Sequence, residues 1–178
     1  MGLLDSLFAP SRPEAVAAEG RAGSIYAPAT GEVVPLSQVS DPVFSQGMLG
    51  EGLAVRPASG VAYAPVSGAV TSVVASKHAV ALRAEGGAEV LLHVGVDTVR
   101  LHGKGFTCFV DKGDPVTAGD ALISFDQDQI SGSGLDDTVI VTVTNSGETG
   151  PVRIICADSV RAGEPMLEIS PRAYAGER

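Results

Sequence analysis

The sequence has no tryptophan, and only 4% of its residues are aromatic. Because 44% of the residues are hydrophobic, the core of a domain this long must be packed from Val, Ala, Leu and Ile. The only two cysteines, Cys108 and Cys156, are far apart, so they indicate neither a disulfide framework nor a cysteine zinc site. Positive charge is also scarce, and the net charge of −9 disfavours nucleic acid and anionic lipid as partners. It favours a partner that presents a basic patch.

Long apolar runs are missing as well. The N-terminus has neither the basic region nor the apolar stretch of a signal peptide, and no run reaches membrane-spanning length, which predicts a cytoplasmic protein. Met1 to Phe8 can form a short amphipathic helix, but it carries no Lys or Arg, so any membrane contact through it would be weak. A frayed tail is the alternative. Ala9 to Gly23 lacks periodicity and resembles a linker.

Glycine and proline, in contrast, are plentiful, with 22 and 11 residues. Glycine and proline at these frequencies are typical of short strands joined by tight turns. Two kinds of segment are repeated in the chain: Ala27–Val33 resembles Ala64–Val70, and Val116–Leu122 resembles Val160–Met166. The repeats predict an all-β sandwich or barrel with internal pseudo-symmetry.

Two of the three histidines lie in alternating apolar runs from Ser76 to Leu82 and from Glu89 to Val96. This alternation predicts two strands of a hairpin, with Gly86 and Gly87 in the turn. If the loop has two or four residues, Val80 lies opposite His93, and His78 shares a face with His93 as its diagonal neighbour. A three-residue loop would instead put the histidines on opposite faces.

A pair of imidazoles can support several kinds of chemistry. One neutral imidazole can act as a nucleophile while the other donates a hydrogen bond to an arriving phosphoryl group. The pair is equally the beginning of a zinc site, although two ligands are too few for a structural one. Both residues can also be hydrogen-bonded structural histidines, and the histidines alone do not distinguish these alternatives.

Several motifs in order resemble the glucose-type enzyme IIA of the bacterial phosphoenolpyruvate:sugar phosphotransferase system. The signature is His93-Val94-Gly95-Val96-Asp97-Thr98-Val99, followed by Leu101 and Gly103-Lys104-Gly105-Phe106, with His78 fifteen residues before His93. Further matches are Asp41–Phe44, Gly50–Val55, Ala64–Gly68 and Val116–Asp126. The resemblance covers roughly Ile25 to Ile169.

This resemblance implies a fold, a function and two main partners. The fold would be an antiparallel β-sandwich of the duplicated-hybrid-motif type over residues 24–172, with a flexible N-terminal tail (1–23) and a short C-terminal tail (173–178). His93 would accept a phosphoryl group on Nε2 from phospho-HPr and pass it to the cysteine of a sugar-permease IIB domain. His78 would hydrogen-bond that group, and Ser76 would orient His78. Regulatory target proteins are further partners that the resemblance implies.

The resemblance also implies a docking face around the histidines. Asp97 and Phe44 would contact partners, and a smaller apolar ring than is usual would complete the face, formed by Val43, Val74, Val80 and Leu91. No cofactor is required by this function. In one arrangement of the family, a zinc ion bridges both histidines to a carboxylate of the partner, which would make His78 and His93 ligands of an intermolecular metal.

Three other classes share features with the sequence. His93 and Asp97 fit the H-x-x-x-D pattern of lysostaphin-like zinc peptidases, but only His102 follows them, and the later H-x-H is absent. The repeated V-x-A-G-[DE] turns resemble biotinyl or lipoyl carrier domains, but Lys77, Lys104 and Lys112 have no neighbouring methionine. A non-catalytic regulatory binding protein is the third alternative.

Overall fold

The computed structural model describes residues 10–20 and 22–170. The amphipathic segment Met1–Phe8 and the tail 173–178 lie outside these ranges. The fold is an antiparallel β structure, as expected. In the described ranges the helices are only three to six residues long, and none of them is long and apolar enough to cross a membrane.

The strands are short, and tight turns join most of them. They are β1 (Ser24–Tyr26), β2 (Gly31–Val34), β3 (Glu51–Pro57), β4 (Val61–Tyr63), β5 (Gly68–Val73), β6 (Ala79–Ala84), β7 (Glu89–Val96), β8 (Phe106–Cys108), β9 (Pro115–Val116), β10 (Ala121–Phe125), β11 (Asp136–Val143), β12 (Val152–Ile154), β13 (Ser159–Val160) and β14 (Pro165–Ile169). The helices are α1 (Pro42–Ser45), α2 (Gln127–Gly132), α3 (Ser146–Thr149) and the 3₁₀ helices Leu36–Gln38 and Thr98–Leu101.

An eight-stranded sheet forms the frame of the molecule, in the order β13-β2-β3-β11-β7-β6-β5-β9. Two three-stranded sheets, β1-β14-β12 and β4-β10-β8, accompany it. One face of the large sheet packs into the main apolar core, where Leu92, Val94 and Val141 are fully buried. The other face carries a smaller core around Phe44 and Ile140. Because side chains alternate along a strand, β7 contributes to both cores.

The duplicated segments are related by pseudo-symmetry. The two Ala-Pro corners exchange backbone hydrogen bonds, from the Tyr26 N–H to the Pro65 carbonyl and from the Tyr63 N–H to the Pro28 carbonyl, both 2.8 Å long. The two V-x-A-G-[DE] turns also correspond, because the N–H of Gly119 donates to Ala64 and that of Gly163 donates to Ala27. The internal pseudo-symmetry expected from the repeats is therefore present.

Residues 10–20 have no helix or strand, but they rest on these two turns; we call this segment the strap. The N–H of Val16 donates to the carbonyl of Gly119, 3.0 Å away, and the Arg12 side chain donates to the carbonyl of Ala121. The strap packs so closely on Gly119 and Gly163 that a Cβ at either position would overlap its backbone carbonyls. The strap is therefore held by backbone contacts that only glycine permits at these two positions.

Candidate functional site

The hairpin that carries the histidines has a three-residue loop. Ala79 pairs with His93 and Arg83 with Glu89, and the Ala84 N–H donates to Ala88, which leaves residues 85–87 as the loop. The expectation of an even-numbered loop with Val80 opposite His93 is wrong. The Gly-Gly pair is compatible with loops of either parity, because glycine adopts the backbone angles of many turn types.

The two histidines nevertheless meet, because His78 precedes the regular part of β6. The strand begins at Ala79, and Ser76 and His78 lie in the turn before it rather than on the strand as expected. Lys77 in that turn has a left-handed backbone conformation, with φ of 60°. The His78 carbonyl still accepts a hydrogen bond from Val94. The rings of His78 and His93 lie edge to face, with centroids 4.8 Å apart.

Each imidazole also packs against the ring of a phenylalanine. Phe44 of α1 packs against His93 with ring centroids 5.0 Å apart. Asp41 caps α1 by accepting a hydrogen bond from the Val43 N–H, which fixes the turn that presents Phe44. Phe106 packs against His78 with centroids 6.4 Å apart. The pair therefore has restricted freedom to rotate, as pre-organised chemistry requires.

The Ser76 hydroxyl lies 2.8 Å from Nδ1 of His78. If the hydroxyl donates this hydrogen bond, the proton of a neutral His78 is placed on Nε2. His78 then presents an N–H donor at the other end of its ring. The hydroxyl is thus placed to select one tautomer of His78, which is the arrangement that its expected role would need.

The environment keeps both histidines neutral. The pKa of His93 is lowered to about 4, mainly by burial and then by the neighbouring His78, while the Gly95 backbone and the Asp41 carboxylate act in the opposite direction. Nδ1 of His93 is buried without a hydrogen bond of ordinary geometry, so its contact with Gly95 is weaker than an ordinary hydrogen bond. Burial also lowers the pKa of His78. Near pH 7 both rings are therefore neutral, and a neutral His93 keeps a lone pair on one of its nitrogens.

The residues expected to form the docking face are not all at the surface. Val43 and Val74 are exposed, and Leu91 is partly buried against the smaller core. Val80 is completely buried in the main core, so its inclusion in the docking face is wrong. The cause is the loop parity, since Val80 pairs with Leu92 and faces the core with it.

Asp97 and His102 flank the 3₁₀ helix that follows β7. Both are exposed, and both have left-handed backbone conformations, with φ of 58° and 52°. The Asp97 side chain makes no hydrogen bond to cap this helix. Its carboxylate is therefore available to a partner.

Three residues were missed by sequence reasoning, one at the histidine pair and two at the surface. Phe106 packs against His78, a contact that its place in the Gly103–Phe106 motif does not indicate. Val99 and Met48 are large apolar residues that are 53% and 68% exposed. Val99 lies in the 3₁₀ helix Thr98–Leu101 and Met48 in the turn after α1, and neither segment has an apolar periodicity from which the exposure could be predicted.

Metal ligation has limited support from the described residues. They include no group of three or more His, Cys, Asp or Glu side chains that could hold a metal ion. His78 and His93 remain a two-ligand pair, and His102 does not join them as a third ligand. A catalytic zinc of the peptidase type needs three protein ligands.

Comparison with known proteins agrees with this geometry. Residues 23–149 match the model of the family described as phosphoenolpyruvate-dependent sugar phosphotransferase system, EIIA 1. The chain belongs to this EIIA family. Membership makes it a phosphotransferase component of the sugar phosphotransferase system, and it gives no support to the peptidase alternative.

Relatives of two sizes are similar to this EIIA chain. The glucose-specific EIIA component of Oceanobacillus iheyensis is 45% identical over 81% of this chain and 87% of its own length. The beta-glucoside-specific EIIBCA component of Dickeya chrysanthemi is 41% identical over 93% of this chain, which spans only 26% of that protein. The solved glucose permease IIA from Mycoplasma capricolum has a TM-score of 0.74 and 34% identity, over 81% of this chain and 93% of that one.

Proposed function

We propose that this EIIA chain is a phosphohistidine carrier, which accepts a phosphoryl group on His93 from phospho-HPr and passes it to the cysteine of a sugar-permease IIB domain. The observation that carries the proposal is the neutral His93 ring, which lies between Phe44 and His78 with its Nδ1 buried. Nε2 is then the nitrogen left to react, and its lone pair is free near pH 7.

Both transfers follow from this arrangement. In the first, the Nε2 lone pair of His93 attacks phosphorus, and the electrons of the breaking N–P bond return to the donor imidazole. In the second, the cysteine thiolate attacks phosphorus, and the electron pair of the His93–phosphorus bond returns to Nε2. His78, with its proton on Nε2, donates to a phosphoryl oxygen as negative charge gathers there.

Relatives with several domains support the permease as a partner. In the EIIBCA and EIICBA relatives, a region similar to this chain is part of a protein whose name also includes B and C components. A carrier that meets a B component in the same protein or in another one needs an open face around the histidine. Val43, Val74 and Val99 provide exposed apolar surface in the segments near the histidine pair.

The test is phosphoryl labelling with phosphoenolpyruvate, enzyme I and HPr, followed by intact mass and peptide mapping under alkaline conditions. We expect one phosphoryl group on His93 and none in His93→Ala. His78→Gln should accept the group, because an amide can donate one hydrogen bond, but should pass it on poorly. His102→Asn, which changes an exposed histidine in a conformation that Asn tolerates, should behave as the unmodified chain. No label, with donors active on another acceptor, would contradict the proposal.

A further inference from the structure

The basic residues of this acidic chain are unevenly neutralised. In the described ranges, four arginines form ion pairs with carboxylates, and Arg12 donates to a backbone carbonyl. The paired residues are Arg56, Arg83, Arg153 and Arg161. The remaining cations in these ranges, which have no carboxylate at salt-bridge distance, are Lys77, Arg100, Lys104 and Lys112.

Three of these four cations lie in the two chain segments that adjoin the histidines; we call Lys77, Arg100 and Lys104 the basic rim. Lys77 lies between Ser76 and His78 in the turn before β6, and the other two lie in the segment after β7. The two segments are in contact, since a Cβ on Gly103 would lie 3.8 Å from the Ser76 carbonyl oxygen. All three side chains reach solvent, because each of these residues is at least partly exposed.

The basic rim remains unpaired although carboxylates are available. Asp97 begins the 3₁₀ helix in which Arg100 lies, yet these two residues form no ion pair. Val99, beside Arg100, is 53% exposed. Exposed cations next to an exposed apolar side chain form a surface that can recognise carboxylates on another molecule.

We propose that the basic rim binds an acidic segment of a partner protein at the edge of the histidine pair. The net charge of −9 disfavours a nucleic acid or an anionic membrane as the occupant, because the whole chain would be repelled. A protein segment with a few clustered carboxylates can reach the rim without meeting the rest of the surface. This binding is separate from phosphoryl transfer, and it does not require that the chain carries a phosphoryl group.

The experiment is a titration of the ¹⁵N-labelled full chain with an oligoglutamate peptide, followed by amide chemical shifts at about 10 mM salt, where charges act over about 30 Å. We expect shifts at Lys77 and in residues 99–104 that vanish at about 1 M salt. A rim variant, with Lys77→Gln, Arg100→Gln and Lys104→Gln together, should bind at least about tenfold more weakly.

A variant with the same net charge as the rim variant separates the effect of the basic rim on peptide binding from the effect of net charge. Arg56→Gln, Arg153→Gln and Arg161→Gln together remove the same three charges from paired sites elsewhere, and this variant should bind the peptide with affinity within about twofold of the original chain. Equal weakening in both variants, the absence of peptide shifts, or binding to phosphatidylserine vesicles without binding to the peptide would each overturn the proposal. If the chain failed to accept a phosphoryl group, the proposed function would be contradicted, but the outcome of the peptide titration would not be affected.

Discussion

At the scale of single residues, the site depends on keeping His93 uncharged. The ring is partly buried against Phe44 and His78, and this burial is the main reason for its low pKa. A proton on either imidazole would disfavour a proton on the other. The same packing that restrains the ring therefore also preserves its lone pair at neutral pH.

This low pKa predicts an acid-sensitive contribution to stability. The pKa of His93 is about 4 in the fold and 6.5 in the unfolded chain, so the unfolded chain takes up the proton first as pH falls. Stability that is fully present above pH 6.5 should be lost towards pH 4, by up to about 3 kcal/mol. Urea denaturation between pH 7 and pH 4 measures the free energy of unfolding of the original chain and of His93→Gln. The difference between these two free energies should become smaller as the pH falls.

Both chains have the same carboxylates, so the effect of carboxylate titration on the free energy of unfolding largely cancels when the two chains are compared. Parallel pH profiles for the original chain and His93→Gln would show that His93 titrates normally in the fold. Such a result would show that burial does not lower the pKa of His93, although an imidazole with its ordinary pKa of 6.5 would still be mostly neutral at pH 7.

At the scale of elements, the end of β7 determines where the histidine and the following loop lie. Gly95 has φ of 79°, and a Cβ there would overlap the Thr98 side chain and crowd the Asp136 carbonyl. Thr98 is itself fixed, because its hydroxyl donates to the carbonyl of Val94. Only glycine fits this bend without strain.

We therefore expect Gly95→Ala to lower the free energy of unfolding by about 2–4 kcal/mol, from backbone strain and overlap together. Gly86→Ala is the matched control in the hairpin loop, where a Cβ meets nothing within 4 Å and should change stability by less than about 0.5 kcal/mol. Urea denaturation midpoints measure both. A similar effect of the two substitutions would contradict the importance of the Gly95 bend.

The elements also show what sequence reasoning could and could not reach. Alternation correctly predicted β7 as Glu89–Val96, whereas the strand predicted over Ser76–Leu82 begins only at Ala79 and ends at Ala84. The loop of residues 85–87 could not be predicted, since a Gly-Gly pair is equally compatible with two, three or four loop residues. Val80 was consequently assigned to the wrong face. The contact between His78 and His93 depends on the irregular turn at Lys77, which has no periodic signal.

At the scale of the whole molecule, the strap joins the two pseudo-symmetric halves. It contacts both repeated turns through main-chain atoms, and so its side chains show no apolar periodicity. This is why residues 10–20 resemble a linker in the sequence. The position of the strap is defined only in the folded chain, where Gly119 and Gly163 both pack against the same stretch of its backbone.

A chain that begins at Ala22 should consequently be less stable by about 1–2 kcal/mol, the contribution of a few partly exposed hydrogen bonds. A chain that begins at Pro10 keeps the strap and should retain the original stability. The thermal midpoint of each chain measures the effect, and phosphoryl acceptance should be equal in both. If the two truncated chains have the same thermal midpoint, the strap contributes nothing to stability.

The burial of His93 has a further consequence for energy conservation in a phosphoryl relay. A base that is partly shielded from water binds a proton more weakly, and it binds a phosphoryl group more weakly for the same reason. A phosphate on this ring would therefore have a high group-transfer potential. Little of the free energy of the original donor would be dissipated when His93 accepts the group, and the free energy retained would drive its later departure to an acceptor thiolate.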